Sequence, residues 1–329
     1  MSPRFLVTTP VPEPAQSLLA AAGDVTVLPA SPGYDELAAL CAGGEYDVVV
    51  TQLGDRIDAP LLASAKIRGV ANFAVGYNNI DVAAASARGI LVGNTPGVLT
   101  DATADIALLL ILGTARRVVE ADAFVRAGRF HGWEPELMLG SDVSGRTLGL
   151  AGFGRIARAT ARRALSFGME VLFAPRPPGH RVVGDDELGE FAGRVRQVSW
   201  EELVPASDFL SLHVPLNADT RHLVDASVLA RMKDSAILIN TARGPVVDEA
   251  ALVEALRSGT IAGAGLDVFE DEPRLAPGLA ELPNTVLLPH VGSATVSVRA
   301  EMSRLSALNA IAMAAGGVPP HAVNPEALG

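Results

Sequence analysis

The fold is decided by the stretch TLGLAGFGRIA at residues 147–157, an apolar run that leads directly into a glycine-rich turn. A helical pattern with arginines on its polar side follows. Strand, glycine turn and helix in this order are typical of a dinucleotide site. Gly152 allows the tight turn, Gly154 lets a pyrophosphate approach the backbone, and Ala157 keeps helix and strand close. The helix N-terminus offers free N–H groups to phosphate. A plain tight turn is the alternative interpretation.

Short β-rich runs alternate with helical patterns along nearly the whole chain, which is typical of parallel sheets with crossover helices. The first set of predicted strands comprises residues 5–8, 25–28, 47–51, 70–74 and 90–93. The second set comprises residues 147–151, 170–174, 209–214, 236–241, 263–267 and 286–288. We therefore predict an α/β protein with two Rossmann-like, doubly wound parallel-sheet domains, the second with six strands.

Two predicted helices stand apart from this alternation and set the expected domain limits. Residues 100–116 carry acids near their start and arginines at their end, which matches the helix dipole. Residues 293–315 follow the last predicted strand. If both are crossover helices between domains, the first domain is discontinuous and comprises residues 1–99 plus 290–329. Residues 100–289 then form the dinucleotide-binding Rossmann domain. A continuous two-domain split is the alternative.

Composition excludes several classes of partner. The 329 residues carry a net charge of −11 and no basic cluster longer than a pair, so we expect no nucleic-acid partner. The longest apolar run, residues 106–112, is too short to span a membrane. The single cysteine, Cys41, excludes an internal disulfide, and we expect no metal site. The N-terminus leads into a predicted strand without a signal-like segment, so we expect a cytoplasmic protein.

Three polar residues follow predicted strands in the second half of the chain: Arg243, Glu272 and His290. A cation, a carboxylate and an imidazole downstream of a dinucleotide-type turn indicate carbonyl reduction by hydride. Arg243 could hold the carboxylate of a 2-keto acid and polarise its carbonyl with one planar fork. His290 would donate a proton to the developing alkoxide, and Glu272 would fix the tautomer of the imidazole and stabilise its charged form.

Each of these roles has an alternative in the sequence. Arg243 could form a salt bridge at a strand end, and His290 could be a structural residue of a Pro-His turn. Glu270 and Asp271 compete with Glu272 for the role of the acid, because all three lie in one short segment.

The strand at residues 170–174 ends in Pro175, Arg176 and Pro177, with no acid at its tip. NAD binders usually place an acid there to hold the ribose 2′-hydroxyl, whereas an arginine can pair with a 2′-phosphate. This favours NADP(H). The alternative is that Arg176 is a solvated loop residue and that NAD(H) is used.

These motifs, taken together and in order, resemble the D-2-hydroxyacid dehydrogenase family over the full length of the chain. Beyond the glycine turn and the three polar residues, they are AVGYNNID at 74–81, NTPG at 94–97 and HVPL at 213–216. Within the family the chain is most similar to glyoxylate/hydroxypyruvate reductases, through DATAD at 101–105, WEP at 133–135 and LG at 139–140.

The resemblance implies a set of site residues and a flavodoxin-like, substrate-binding first domain. Arg243, Glu272 and His290 would be catalytic, and the backbone N–H groups of Val75 and Gly76 would bind substrate together with Arg243 and His290. The implied cofactor contacts are Thr103, Gly152, Phe153, Gly154, Arg155, Ile156, Pro175, Arg176, Pro177, His213, Val214, Pro215, Thr220, Thr241, Ala242, Arg243, Asp267, His290 and Gly292. Two features depart from the family pattern. Ala157 replaces a third glycine, and prolines flank Arg176 where NADP-using relatives commonly carry serine and threonine.

The activity that the resemblance implies is NAD(P)H-dependent reduction of small 2-keto acids, glyoxylate and hydroxypyruvate first, to D-2-hydroxy acids. It also implies a homodimer, in which Trp133 would either wall the neighbouring active site or belong to the interface core. Oxidation of phosphoglycerate or another D-2-hydroxyacid is the second hypothesis, although Arg56 is the one extra basic residue expected near the first domain's site. The third is a nucleotide-sensing interaction protein similar to the C-terminal-binding-protein corepressors.

Overall fold

The computed structural model describes residues 2–179 and 181–328. The strands in chain order are β1 Arg4–Val7, β2 Asp24–Val27, β3 Val48–Thr51, β4 Gly69–Asn72, β5 Leu91–Gly93, β6 Thr147–Ala151, β7 Glu170–Ala174, β8 Arg196–Gln197, β9 Phe209–Leu212, β10 Ile237–Asn240, β11 Gly263–Leu266 and β12 Thr285–Leu287. The α-helices are α1 Ala15–Ala22, α2 Tyr34–Gly43, α3 Ala59–Ser64, α4 Val82–Ala87, α5 Thr100–Ala115, α6 Val118–Arg126, α7 Arg155–Ser166, α8 Asp185–Leu188, α9 Trp200–Ala206, α10 Ala226–Leu229, α11 Glu249–Ser258 and α12 Val296–Ala314. Short 3₁₀ turns span Gly189–Phe191, Gly244–Val246, Leu279–Glu281 and Pro325–Leu328.

The chain divides into two compact units, residues 1–99 with 294–329 and residues 100–293. Residues 290–293, which were predicted to lie in the first domain, belong to the second unit. The physical reason is local, because the backbone N–H groups of Val291 and Gly292 both donate to the Asp267 carboxylate, at 2.7 Å each.

The first unit contains a five-stranded sheet in the order β2-β1-β3-β4-β5, and every pairing is parallel. This is the flavodoxin-like strand order. β3 and β4 are buried along their whole length, as a parallel sheet covered on both faces requires. Apolar side chains of α1 and α12 cover one face, and those of α2 and α3 cover the other. At Gly69 a Cβ would collide with the Met313 sulfur, so glycine allows α12 to approach β4 closely.

The second unit contains a seven-stranded parallel sheet in the order β12-β11-β10-β9-β6-β7-β8. Read outward from β6, this is the Rossmann order with a seventh strand at one edge. The predicted α/β class with two doubly wound parallel sheets is therefore confirmed. The prediction of six strands here was wrong by one, because β8 is a two-residue edge strand of Arg196 and Gln197 that carries no apolar run.

α5 and α7 pack on the second sheet, and their buried faces consist largely of alanine and leucine. None of the described helices is both long and apolar enough to cross a lipid bilayer.

Candidate active site

The carboxyl ends of the strands in the second sheet carry most of the predicted site residues. Gly152 follows β6, Pro175 follows β7, His213 follows β9, Thr241 follows β10 and Asp267 follows β11. Because the carboxyl ends of parallel strands meet at one edge, these residues share that edge. Open α/β sheets bind ligands there, next to the point where the strand order reverses, which here lies between β6 and β9.

The glycine turn has the backbone geometry that a phosphate site needs. Gly152 has a φ of 96°, and its N–H donates to the Ala174 carbonyl at 2.7 Å. A Cβ at Gly152 would lie 2.8 Å from the His213 carbonyl oxygen, so only glycine fits. At Gly154, by contrast, a Cβ would meet nothing within 4 Å. Gly154 precedes α7, whose N-terminus has no side-chain cap, and a phosphate can therefore approach the first N–H groups of that helix.

The Phe153 ring lies in the core beneath this turn. It stacks on Phe173 with ring centroids 3.9 Å apart and meets Phe191 edge-on. The predicted cofactor contact at Phe153 would therefore have to be made by its backbone. Arg155 and Arg176 are exposed, and Arg176 forms no ion pair with any residue that the structure describes.

At the end of β10, one buried hydroxyl lacks a partner. Thr241 is 9% exposed, and its Oγ1 has no hydrogen-bond partner within the described part of the chain. The side chain of Asn240 fixes the backbone around Thr241. Its amide N–H donates to the Arg243 carbonyl at 2.9 Å, and its amide oxygen accepts the Ala242 N–H at 3.0 Å. A buried polar atom without a partner is costly, so a bound group that supplies the missing hydrogen bond fits this position.

The segment after β9 supplies a neutral imidazole and a tight loop. Burial lowers the pKa of His213 to about 4, and its Nε2 shares a hydrogen bond of 2.9 Å with the Ser211 hydroxyl. His213 is therefore uncharged at neutral pH. Pro215 and Thr220 are joined directly, because the Thr220 hydroxyl donates to the Pro215 carbonyl at 2.6 Å.

Asp267 organises the turn that carries His290. The backbone N–H of His290 donates to the Asp267 carbonyl at 2.9 Å, and His290 has a left-handed φ of 54°. Burial raises the pKa of the Asp267 carboxyl, although the N–H groups of Val291 and Gly292 oppose this. Thr103 closes the turn from α5, because its hydroxyl donates to the Gly292 carbonyl at 3.1 Å. The hydrogen bonds of Asp267 and Thr103 thus fix the backbone of the turn that carries His290.

The structure brings Glu272 and His290 into direct contact. Nδ1 of His290 donates to Oε2 of Glu272 at 2.9 Å, and the Phe269 N–H donates to Oε1 at 3.0 Å. Burial opposes ionisation of Glu272, but the hydrogen bond and charge of His290, with smaller contributions from Phe269 and Arg243, hold its pKa below the ordinary value. An ionised carboxylate only accepts hydrogen bonds, so it fixes the proton on Nδ1 and directs Nε2 away from itself.

Arg243 lies beside this pair. Burial lowers the pKa of its guanidinium and the charge of Glu272 opposes that shift, so the two residues act on each other electrostatically. The guanidinium remains charged, because an arginine does not lose its proton in proteins. At Gly244 a Cβ would collide with the Phe269 carbonyl, so the turn after Arg243 packs directly against the turn that carries Glu272.

The two competing acids have other partners. Nε2 of His222 donates to Oε1 of Glu270 at 2.6 Å, and the Asp271 carboxylate pairs with Arg274, also at 2.6 Å. Of the three acids, only Glu272 contacts His290.

In the first unit, Val75 and Gly76 follow β4. The Asn94 side chain donates to the Val75 carbonyl at 2.8 Å, and the Asn72 side chain donates to the Gly76 carbonyl at 2.9 Å. Neither the Val75 nor the Gly76 N–H donates to an acceptor within residues 2–179 and 181–328. Neither Asn72 nor Asn94 was predicted as a site residue. An amide at a strand end is the signal that both share, and Asn94 also begins the NTPG motif at 94–97.

Comparison with known proteins identifies the family. Residues 108–292 match the NAD binding domain of D-isomer specific 2-hydroxyacid dehydrogenases. The chain is 46% identical over 334 residues to a glyoxylate reductase of Thermococcus onnurineus, covering 100% of this chain and 98% of the relative. It is 50% identical over 289 residues to the glyoxylate reductase of Thermococcus litoralis, covering 86% of this chain and 85% of the relative.

A solved structure supports the same relationship. It is an NADPH-dependent glyoxylate/hydroxypyruvate reductase from Sinorhizobium meliloti in complex with NADP and malonate. The match has a TM-score of 0.85 and 36% identity, and it covers 99% of this chain and 98% of that chain. The resemblance predicted from the sequence is therefore confirmed. The chain belongs to the D-isomer specific 2-hydroxyacid dehydrogenase family and is an NAD(P)-dependent oxidoreductase acting on CH–OH donors.

Proposed function

We propose that this chain reduces glyoxylate and hydroxypyruvate to the corresponding D-2-hydroxy acids, with Arg243, Glu272 and His290 as its catalytic residues. The observation that carries the proposal is the 2.9 Å contact between Glu272 and His290 with Arg243 beside it. The names of the full-length relatives support the choice of substrate.

When bound, a nicotinamide cofactor supplies hydride to the carbonyl carbon of the keto acid. Arg243 holds the substrate and stabilises the negative charge that develops on its oxygen, as a fixed cation in a half-buried site does well. His290 gives the proton on Nε2 to that oxygen. Glu272 keeps the other ring nitrogen protonated and offsets the charge of the imidazolium.

Val75 and Gly76 keep their proposed role as donors to the substrate carboxylate. The Gly76 N–H shares a peptide plane with the Val75 carbonyl, which Asn94 holds, and the Val75 N–H shares one with the Ala74 carbonyl, which the Thr95 N–H holds at 2.9 Å. Both N–H groups are therefore oriented, and neither donates to an acceptor among the described residues. Paired backbone N–H groups of this kind are a common means of binding a carboxylate.

For the cofactor, the proposed contacts are the glycine turn, the segments after β7, β9 and β11, and the Thr241 hydroxyl, which has no hydrogen-bond partner among the described residues. We favour NADPH over NADH because Arg176 is exposed at the tip of β7 and forms no ion pair with a described residue, at a position where a 2′-phosphate would need a cation. NADP is also the cofactor named for the Sinorhizobium meliloti enzyme. The test is Arg176→Ala, which should raise KM for NADPH about tenfold and leave KM for NADH unchanged. Equal changes for the two cofactors would contradict the assignment.

We further propose that the chain forms a homodimer through α5, α6 and the loop after α6. Apolar side chains are exposed there, among them Leu109, Val118, Phe130 and Trp133, the last 83% exposed. Exposed large apolar side chains concentrated in one stretch of the chain favour an interface. Light scattering of the purified protein would show a dimer, and a monomer at micromolar concentration would refute it. Whether Trp133 reaches the neighbouring site is then tested by the effect of Trp133→Ala on KM for the keto acid.

The other two hypotheses have less support. Phosphoglycerate oxidation would need extra cations near the Val75 segment, and Arg56, the one candidate in the sequence, pairs with Asp58 at 2.7 Å. A nucleotide-sensing corepressor would not need the Glu272–His290 pair. An assay of NADPH loss with glyoxylate, hydroxypyruvate and bulkier keto acids separates an enzyme from a sensor. Absence of turnover with every keto acid would refute the proposed function.

A further inference from the structure

A second acid–imidazole pair lies two residues from Glu272. The Glu270 carboxylate receives three donors that come from other segments of the second unit. Nε2 of His222 lies 2.6 Å from Oε1, Nη2 of Arg221 lies 3.2 Å from Oε1, and the Glu249 N–H donates to Oε2 at 3.4 Å. Glu270 side-chain exposure is only 24%. The Glu270 carboxylate is therefore largely shielded from solvent, while the His222 side chain is 36% exposed.

The donors of Glu270 belong to segments that are joined to each other. The His222 N–H donates to the Pro245 carbonyl at 2.8 Å, and Val224 forms a bridge with Val247. Residues 244–246 continue directly from Arg243, and the Val246 N–H donates back to the Arg243 carbonyl at 3.2 Å. The Glu270 carboxylate is thus tied to the chain that holds Arg243.

Glu249 completes the arrangement from the start of α11. It is 5% exposed, and the backbone N–H groups of Glu270 and Ala276 face its carboxyl. Burial raises the pKa of Glu249, and the negative charges of Glu270 and Asp271 add to this increase. The two N–H groups act in the opposite direction but do not cancel it. The contact of the Glu249 N–H with the Glu270 carboxylate therefore connects Glu270 to the start of α11.

The peptide between Phe269 and Glu270 connects these contacts to the proposed catalytic residues. Its carbonyl side packs on Gly244, which follows Arg243, and the Phe269 N–H donates to Glu272 at 3.0 Å. We propose that Glu270, together with His222, is a positioning residue. It fixes the turn that carries Glu272 relative to the turn that carries Arg243. The proposal rests on the proposed catalytic roles of those two residues. Glu270 itself acts through the backbone and touches neither substrate nor cofactor.

The experiment compares three variants with a matched control in the same turn. Glu270→Ala removes the carboxylate, and Glu270→Gln keeps one acceptor oxygen for the donors. Asp271→Ala is the control, because it removes an adjacent acid whose partner, Arg274, lies in the same exposed turn. His222→Ala removes the imidazole and leaves Glu270 in place. Rates are measured with whichever keto acid the wild type reduces, and NADPH affinity is measured separately by fluorescence titration.

A displaced catalytic group commonly costs about a hundredfold in rate, so we expect Glu270→Ala to lower kcat about 10- to 100-fold. NADPH affinity should stay within about twofold of wild type. Glu270→Gln should recover most of the lost rate, His222→Ala should lose rate in the same sense as Glu270→Ala, and Asp271→Ala should match wild type. If Glu270→Ala does not fold, the Gln and His222→Ala variants decide the question.

Two results would overturn the inference. One is wild-type kcat in Glu270→Ala, or in both Glu270→Gln and His222→Ala. The other is an equal loss of kcat and of NADPH affinity, which would indicate general disruption of the unit. A wild-type protein without keto-acid reductase activity would instead refute the proposed function, and the inference with it, so the two failures are distinguishable.

Discussion

Replacing Glu272 with glutamine perturbs the proposed acid–base pair with the smallest change of shape. The carboxylate accepts two hydrogen bonds, from the Phe269 N–H at 3.0 Å and from Nδ1 of His290 at 2.9 Å. An amide offers one acceptor oxygen, so one donor loses its partner and the imidazolium loses its counter-charge.

The size of the effect follows from one charged hydrogen bond, which is worth about 1.5–3 kcal/mol. The side chains of His290 and Glu272 are 33% and 37% exposed, so water screens the pair and the lower figure applies. About 1.5 kcal/mol in the transition state corresponds to roughly a tenfold fall in kcat. The assay is steady-state NADPH oxidation with glyoxylate, and Asp271→Asn serves as the control.

The pH dependence adds a second check on the same residue. The pKa of Glu272 is lowered, so its ionised form persists through the ordinary glutamate range and is lost only as the pH falls through the lowered value. The Glu272 carboxylate should therefore stay ionised between about pH 5 and pH 7, and the wild type should keep a higher kcat than Glu272→Gln throughout this range. A kcat for Glu272→Gln within twofold of wild type, or a ratio of the two kcat values that approaches one at pH 5, would refute the reasoning.

Three further predictions concern the other site residues. Arg243→Lys should lower kcat/KM about a hundredfold with an unchanged circular-dichroism spectrum, because an ammonium cannot replace the planar fork; near-normal turnover would contradict this. Gly154→Val should leave the melting temperature without cofactor unchanged, since a Cβ meets nothing within 4 Å there, but should abolish the stabilisation by NADPH. Stabilisation equal to wild type would place the phosphate elsewhere. Asn94→Ala removes the 2.8 Å bond to the Val75 carbonyl, worth about 1 kcal/mol, and should raise KM for glyoxylate about fivefold with little change in kcat. An unchanged KM would remove the Val75 segment from the substrate site.

Most of the fold could be predicted from the sequence because parallel strands buried on both faces are continuous apolar runs. The glycine turn fixed the order of β6 and α7, since Gly152 requires a left-handed φ and a close approach to the backbone after β9. β8 and α8 escaped prediction for a physical reason. Each is two to four mostly polar residues long, and tertiary pairing rather than local pattern stabilises it.

The site was less predictable, because side-chain direction in the turn at 269–273 is not encoded by spacing. Glu270, Asp271 and Glu272 are consecutive acids, and only the folded turn, in which Phe269 packs against Gly244 and donates to Glu272, shows which of them contacts His290. The partner of Glu270, His222, lies 48 residues away in the chain, so no local motif could join them. The hydrogen bonds of Asn72 and Asn94 to backbone carbonyls are equally invisible in a single sequence.

The most direct measurement of the central claim is the rate of NADPH oxidation with glyoxylate by wild type and by His290→Gln, with NADPH affinity titrated in both. A positioned general acid contributes about 10²- to 10⁴-fold, so the variant should lose at least a hundredfold in kcat while its Kd for NADPH stays within twofold. A variant that turns over at close to the wild-type rate, or that loses NADPH affinity instead of kcat, would contradict the assignment of His290 as the proton donor.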